Sequence, residues 1–409
     1  MRNSLAVAAL GLLLGVTAVP APAAEAPARA ELLELVESSP VETTLDHPDV
    51  RDAYQVWPEM IDGARNSLDF AEFYSSNEPG SRLEPVIQAV ERAADRGVKV
   101  RFLGDAKFQK TYPETLARLG RRQGIEVRTI DYGALAGGVL HAKYFVVDGG
   151  EVYLGSQNFD WRSLQHIQEL GARIVAPAVA QAVSDVFATD WTLAGGGPKT
   201  FRAAPPAGGY GFPARVGEGA DAPAVTLVAS PKGWLPDESL WDLPRLVQMI
   251  DAAQSSVRVQ LLTYRAVSQK EYFDTLESAL RRAAARGVQV QMIVADWSQV
   301  PGNIEGLQSL EALPGIDVRL TTIPQWSGGF IPFARVTHAK YLVVDGRHAW
   351  IGTGNWERDY FFQSRNLGLL IDSRRIGERL ERFFASDWTS PYSAEVDPCA
   401  HYPAPRVAQ

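Results

Sequence analysis

Nine consecutive positions read His141-Ala142-Lys143-Tyr144-Phe145-Val146-Val147-Asp148-Gly149, and the pattern returns as His338-Ala339-Lys340-Tyr341-Leu342-Val343-Val344-Asp345-Gly346. Seven residues after each aspartate comes Gly155-Ser156-Gln157-Asn158 or Gly352-Thr353-Gly354-Asn355. At roughly 5% usage per residue type, six fixed types at fixed spacing arise by chance well under about once in a million starts. The second occurrence is therefore not coincidence. On a strand, side chains at i and i+2 share a face. Each histidine and the lysine after it thus aim at one point, while Tyr144 and Val146 turn into core. Ser156, Thr353, Asn158 and Asn355 follow the next strand and add neutral donors. Facing each other, the two copies surround one pocket with paired imidazoles, ammoniums, hydroxyls and amides. That set suits the oxygens of a phosphodiester and includes two groups that titrate near neutrality. Asp148 and Asp345 stand before glycine turns and are expected to hold those turns by hydrogen bonds. A lysine beside each histidine repels a cation, and no Cys/His/Asp cluster has zinc-type spacing. Neither a metal nor another cofactor is expected.

The doubled H-x-K-x-x-x-x-D with G-[ST]-x-N resembles the phospholipase D superfamily, over nearly the whole chain after its leader. Gly155-Ser156-Gln157-Asn158-Phe159-Asp160-Trp161-Arg162-Ser163-Leu164 with Glu169-Leu170-Gly171 resembles the lysosomal branch, whose members act as single-strand exonucleases. Ile351-Gly352-Thr353-Gly354-Asn355-Trp356 with Tyr360-Phe361 resembles that branch's second motif. The resemblance implies a metal-free reaction in two steps: one histidine attacks phosphorus, and the other protonates the leaving oxygen and then activates water. Glu169 lies 28 residues after His141, where family members place a carboxylate; the same step from His338 reaches Asn366. A carboxylate on the second ring nitrogen fixes the tautomer and stabilises positive charge. Glu169 is therefore expected to back His141 as nucleophile, leaving His338 as general acid and base, with Lys143 and Lys340 beside them. Ser156, Asn158, Thr353, Asn355 and Trp356 are expected to contact substrate.

The elements that must position these residues are also written twice. Met60-Ile61-Asp62 recurs as Met249-Ile250-Asp251, Arg96-Gly97-Val98 as Arg286-Gly287-Val288, and Asp190-Trp191-Thr192 as Asp387-Trp388-Thr389. A domain-sized unit is duplicated, which a short solenoid period would not produce. Residues 67–73 alternate with period two, 83–96 have helical spacing closed by Gly97, and 98–103 alternate again. Residues 257–263, 272–286 and 288–295 repeat that series. The expected fold class is α/β: two tandem phospholipase D-type α/β/α sandwich domains about a pseudo-two-fold axis, sharing one active site. The expected divisions are a signal peptide over 1–24, domains over 25–193 and 224–392, a Gly/Pro-rich linker over 194–223 and a tail over 393–409.

The 409 residues hold 40 Lys+Arg against 48 Asp+Glu, a net charge of −8, with 46% apolar and 22% charged residues. This excludes a disordered chain, a collagen-like fibre and a polytopic membrane protein. The acidic balance argues against a long-duplex binder and against an anionic membrane surface. Cys399 is the only cysteine, so no intramolecular disulfide forms. Met1-Arg2-Asn3-Ser4, an uncharged run from Leu5 to Val19 and small residues to Ala24 read as a cleaved export signal, shorter than the ~20 residues of a membrane span. A secreted or periplasmic protein follows. Both half-sites lie in one chain, so a monomer with no obligate protein partner is expected. The substrate is a phosphodiester: a single-stranded nucleic acid is favoured, a phospholipid is the alternative. Trp161, Trp356, Tyr360 and Phe361 can stack bases. The apolar segment from Pro324 to Phe333 either enters a lipid interface or walls the pocket.

Overall fold

The computed structural model describes residues 32–268 and 271–408. The leader expected over residues 1–24 lies outside them. Among the described residues no helix is long and apolar enough to cross a membrane.

The first copy supplies β1 (Leu33–Ser38), α1 (Ala53–Gly63), β2 (Ser67–Glu72), α2 (Glu84–Asp95), β3 (Lys99–Asp105), β4 (Ile125–Ile130), β5 (Lys143–Val147), β6 (Glu151–Gly155), β7 (Glu169–Val175) and α3 (Pro177–Ala194). The second supplies β8 (Ala224–Ser230), α4 (Asp242–Asp251), β9 (Ser256–Leu261), α5 (Thr275–Ala285), β10 (Gln289–Ala295), β11 (Ile316–Thr321), β12 (Tyr341–Val344), β13 (His348–Gly352), β14 (Asn366–Asp372), α6 (Arg374–Thr389) and β15 (Ser393–Glu395). The helix α2 shows why these pieces form. Proline stands in its first turn, Val86, Ile87, Val90, Ala93 and Ala94 fall on one buried face, and Gly97 at φ 89° follows its end. Only glycine adopts that φ without strain. Fully burying each branched aliphatic of that face contributes about 1.5–3 kcal/mol. The helix expected from Tyr272 begins later, at Thr275, because Glu271–Tyr272 pairs with Val267–Ser268 as a short hairpin.

Both sheets run in the same spatial order. In the first it is β1-β7-β6-β5-β2-β3-β4, and in the second β8-β14-β13-β12-β9-β10-β11. Within each, three strands are parallel (β2-β3-β4 and β9-β10-β11) and the motif strand β5 or β12 lies antiparallel beside them. The sheets are mixed, as an α/β unit with hairpin insertions requires. Helices α1 and α2 cover one face of the first sheet. α4 and α5 cover one face of the second. A single core joins the opposite faces of both sheets through α3 and α6. Residues 194–223 include Ala214–Arg215, which extends the second sheet beside β8. The segment expected as a tail adds β15 to β11 and buries Val396.

The copies exchange equivalent contacts. The His141 amide donates to the Arg365 carbonyl at 3.0 Å and the His338 amide to the Gln168 carbonyl at 2.7 Å. Arg365 N–H returns to Val139 at 2.9 Å and Gln168 N–H to Val336 at 3.0 Å. Each residue of one pair stands 197 positions before its counterpart (141 and 338, 168 and 365, 139 and 336). Such reciprocity marks a two-fold relation. The repeated Asp-Trp-Thr sequences serve the same joint. Asp190, from α3, takes a bidentate pair from Arg365, 2.9 Å on each side, with both side chains fully buried. Asp387, from α6, accepts from Gln168 at 2.7 Å and Gln260 at 2.9 Å. Arg365 and Gln168 immediately precede Asn366 and Glu169, so the joint fixes the start of β14 and β7 where the site is built.

Candidate active site

His141 and His338 line one cavity of about 370 Å³ with Asn158, Asn355, Tyr360 and Lys107. The histidines lie just ahead of their strands, since β5 begins at Lys143 and β12 at Tyr341. Each ring is anchored through Nδ1 to the other copy. His338 Nδ1 meets Glu169 Oε2 at 2.6 Å, and His141 Nδ1 meets Asn366 Oδ1 at 3.0 Å. This overturns the expected pairing of Glu169 with His141. Spacing along the chain fixes where the carboxylate stands on β7. The two-fold joint lays the start of β7 beside His338, so the partner is taken in trans.

Ser156 and Thr353 complete these anchors and do not face the cavity. Ser156 Oγ donates to Glu169 Oε2 at 2.6 Å and accepts from Leu170 N–H at 3.0 Å, while Ser163 Oγ holds Glu169 Oε1 at 2.9 Å. Thr353 Oγ1 donates to Asn366 Oδ1 at 3.0 Å and accepts from Leu367 N–H at 3.1 Å. The expectation that these hydroxyls touch substrate is corrected: both side chains are fully buried and their protons are committed. Trp356 is corrected too. It is 1% exposed, sits in the core of the second copy and has its ring 6.4 Å from Trp350. Glycines permit the tight layer beneath. A Cβ on Gly171 would lie 2.3 Å from the Tyr153 hydroxyl, and one on Gly368 would lie 2.3 Å from Trp350 Nε1.

The ammoniums are buried and tied locally. Lys143 Nζ donates to the His141 carbonyl at 2.5 Å and Lys340 Nζ to the His338 carbonyl at 2.6 Å. Each keeps further N–H donors. Burial drives Lys143 well below the usual lysine range and brings Lys340 down to about 7, with Glu169 opposing both shifts. Burial and the two ammoniums push both imidazoles well below the ordinary histidine value. Burial likewise lifts Glu169 to about 7 against the pull of Lys340. Glu72, buried beside Lys143, was not found from sequence; its counterpart in the second copy is Leu261.

Asn158 and Asn355 line the cavity, each with an amide oxygen that has no partner among the described residues. Asp148 and Asp345 stand at the far ends of β5 and β12, at φ 50° and 53°. Asp148 accepts from the amides of Arg65, Asn66 and Ser67 at 2.9, 2.7 and 2.8 Å. Asp345 accepts from those of Gln254, Ser255 and Ser256 at 2.9, 2.8 and 2.9 Å. Among the described residues no group of three or more His, Cys, Asp or Glu side chains is placed to hold a metal ion.

Aromatic side chains contribute much of the cavity wall: Phe73, Tyr74, Phe108, Tyr112, Trp297, Phe333 and Tyr360. Of the four aromatics singled out from sequence, only Tyr360 lines it, with its ring 4.8 Å from His141. Phe361 is core, and Trp161 packs edge-on to His166 at 5.4 Å. The segment from Pro324 to Phe333 is only partly packed. Trp326 packs on His166 at 5.1 Å, Ile331 is buried, and the exposed Phe333 faces the cavity.

The family described as "Cardiolipin synthase, PLD-like domain" matches residues 58–191 and again 246–388. The chain is 31% identical over 400 residues to the human protein named 5'-3' exonuclease PLD3, covering 90% of this chain and 81% of that one. It is 29% identical over 391 residues to Phospholipase D Z of Dictyostelium discoideum, covering 89% of this chain and 90% of that one. Among solved structures, phosphatidylserine synthase of Haemophilus influenzae superposes with a TM-score of 0.61 at 13% identity, over 89% of this chain and 87% of that one. That likeness carries the fold.

Proposed function

The chain belongs to the phospholipase D superfamily with the domain duplicated, and from that premise we propose that it is a phosphodiesterase that shortens single-stranded nucleic acid through a phosphohistidine. The observation that carries this reading is the pair of imidazoles on one cavity, each anchored at Nδ1 and so presenting Nε2.

The anchors divide the work. Asn366 Nδ2 donates to the carbonyls of Tyr360 at 3.0 Å and Ser364 at 3.2 Å, so its Oδ1 is the atom turned to His141. An amide oxygen only accepts. His141 therefore keeps Nδ1–H, and its neutral ring has a bare Nε2, the form a nucleophile needs. The Glu169–His338 pair holds two protons below about pH 7, where the carboxyl titrates. One lies between Nδ1 and Oε2 and the other sits on Nε2, ready for a leaving oxygen. His141 is assigned as nucleophile and His338 as acid, because only the ring on Glu169 can carry the extra proton; the carboxylate expected to support the nucleophile supports the acid instead.

In the first step His141 Nε2 forms a bond to phosphorus, the P–O bond to the leaving strand breaks, and that oxygen takes the proton of His338 Nε2. In the second, His338 takes a proton from water, the hydroxide attacks phosphorus, and the P–N bond breaks. Lys143, Lys340, Asn158 and Asn355 stabilise the phosphoryl oxygens as charge develops on them. The aromatic wall suits unstacked bases, and Trp326 and Ile331 of the 324–333 segment pack against the protein. The leader read over residues 1–24 sets this activity outside the cytoplasm. The test offers short single-stranded oligonucleotides, and phosphatidylcholine vesicles with ethanol, to one preparation. Stepwise nucleotide release is expected; phosphatidylethanol without nucleotide release would overturn the substrate assignment.

A further inference from the structure

Next to the catalytic cavity lies a second one of about 210 Å³, and the Trp297 indole lines both. Arg335 and Arg406 reach it, and Asp296 is the acidic member of its wall. Arg335 is 7% exposed, yet among the described residues it makes no ion pair. Its Nε donates to the Pro324 carbonyl and its Nη1 to the Val41 carbonyl, both at 2.7 Å. Among the described residues Nη2 has no partner. Glu42, the carboxylate that acts on this guanidinium, has its oxygens on the Ser327 amide at 2.9 Å and hydroxyl at 2.6 Å. Arg406 lies 3.9 Å over the Phe330 ring. The Phe333 amide ties the chain end in place through the Val407 carbonyl at 2.9 Å.

A buried guanidinium without a carboxylate is costly, and so is the backbone that presents it. Phe333 and Arg335 stand at φ 58° and 56°, the left-handed region, though neither is glycine. Strain of this kind persists where the surroundings over-determine it and gathers at ligand sites. The first copy has no such place: Gly138 stands 197 positions before Arg335, and a Cβ there would lie 2.4 Å from Ser364 Oγ. The second copy departs from the two-fold here.

We propose that this cavity is a subsite for a second phosphoryl group of the same strand, one nucleotide from the linkage being cut, held by Arg335 Nη2 and the Arg406 guanidinium. The proposal rests on the nucleic-acid reading above. Guanidinium groups match phosphoryl oxygens in a fixed fork. The nucleoside between the two phosphates lies against Trp297 and Phe333, whose rings meet edge-on at 6.4 Å. Asp296 does not oppose this in acid, since burial lifts its carboxyl to about 6.

The test varies the substrate first, so it does not depend on a variant folding. Thymidylyl-thymidine has one phosphodiester; adding a 5' or a 3' terminal phosphate supplies a second anion on one side or the other. For the unaltered protein, kcat/KM is expected to rise about fivefold with one of the two phosphates and not with the other, the size of a good exposed ion pair. Arg406→Gln should bring the favoured substrate to within twofold of the parent dinucleotide, and Arg335→Lys should keep part of the gain. Equal kcat/KM for all three dinucleotides would overturn the subsite. A gain that persists unchanged in Arg406→Gln and Arg335→Gln would place the second phosphate elsewhere and overturn it as well. If bis-p-nitrophenyl phosphate is hydrolysed but no dinucleotide is, the nucleic-acid reading fails and takes the subsite with it.

Discussion

The two histidine pockets are built on one plan and differ in the anchor of each imidazole. In each, a hydroxyl after the motif strand holds a side chain at the start of the next long strand, and that side chain holds the imidazole of the other copy. Around His338 the anchor is a carboxylate, Glu169, and around His141 it is an amide, Asn366. A carboxylate lets its pair store an additional proton and an amide does not. Under the proposed assignment, this change of anchor separates the acid from the nucleophile. The joint shows a parallel divergence: Asp190 meets a guanidinium, while Asp387, in the equivalent place, meets two amides.

The comparison breaks most severely if either ring is removed. His141→Ala and His338→Ala are each expected to lower kcat on oligonucleotides about 10⁴-fold, and the double variant little further, because residues that act as a unit are not additive. Glu169→Gln makes the two pockets alike and should lower kcat about 10²-fold to 10³-fold. Its pH profile discriminates among explanations. In the unaltered protein His141 must be neutral, and burial lowers its pKa, so the acid limb lies below the ordinary histidine value of 6.5. The alkaline limb follows loss of the pair's second proton, which leaves Nε2 bare, and lies near 7. Glu169→Gln should carry that alkaline limb below 6.5, and an unmoved limb would remove Glu169 from the acid's role. Asn366→Asp makes the pockets alike in the opposite sense. His141 then holds a second proton, and the acid limb should shift to higher pH.

The joint offers a smaller contrast, read by urea unfolding. Asp190→Ala leaves Arg365 charged and buried, and should cost about 3–5 kcal/mol. Gln168→Ala, in the other half of the joint, takes one neutral amide donor from Asp387 and should cost about 1–2 kcal/mol. Equal losses would mean that the ion pair has no special weight. The smallest effect separates cavity wall from core. Phe333→Ala should raise KM for oligonucleotides about fivefold, one stacking contact. Trp356→Phe should leave KM unchanged while lowering the unfolding midpoint.

Much of this was legible in the chain itself. The doubled motif and the α/β alternation follow from residue types and spacing, and the family resemblance points to Glu169. The partner of Glu169 does not, because a spacing of 28 residues is the same whether the carboxylate serves its own copy or crosses a two-fold. The 197-residue offset carried the signal: it pairs Gln168 with Arg365 and Glu169 with Asn366, and marks both as one joint. Ser156 and Thr353 look like substrate donors until their protons are accounted for, and only coordinates show the carboxylate or amide that takes them. Trp356 sits in a motif yet faces core, since strand ends alternate sides and sequence does not say which side is the pocket. Trp297 and Phe333 come from loops without periodicity, and their convergence on the cavity is a property of the fold alone.

The most direct test uses His338→Ala with bis-p-nitrophenyl phosphate, whose leaving group needs no acid. The first step then proceeds and the second, lacking its base, stalls. A burst of about one p-nitrophenolate per chain is expected, with the phosphoryl group found on His141 after alkaline quench and peptide mapping. No burst, or a label on any other residue, would contradict the assignment of nucleophile and acid to the two pockets.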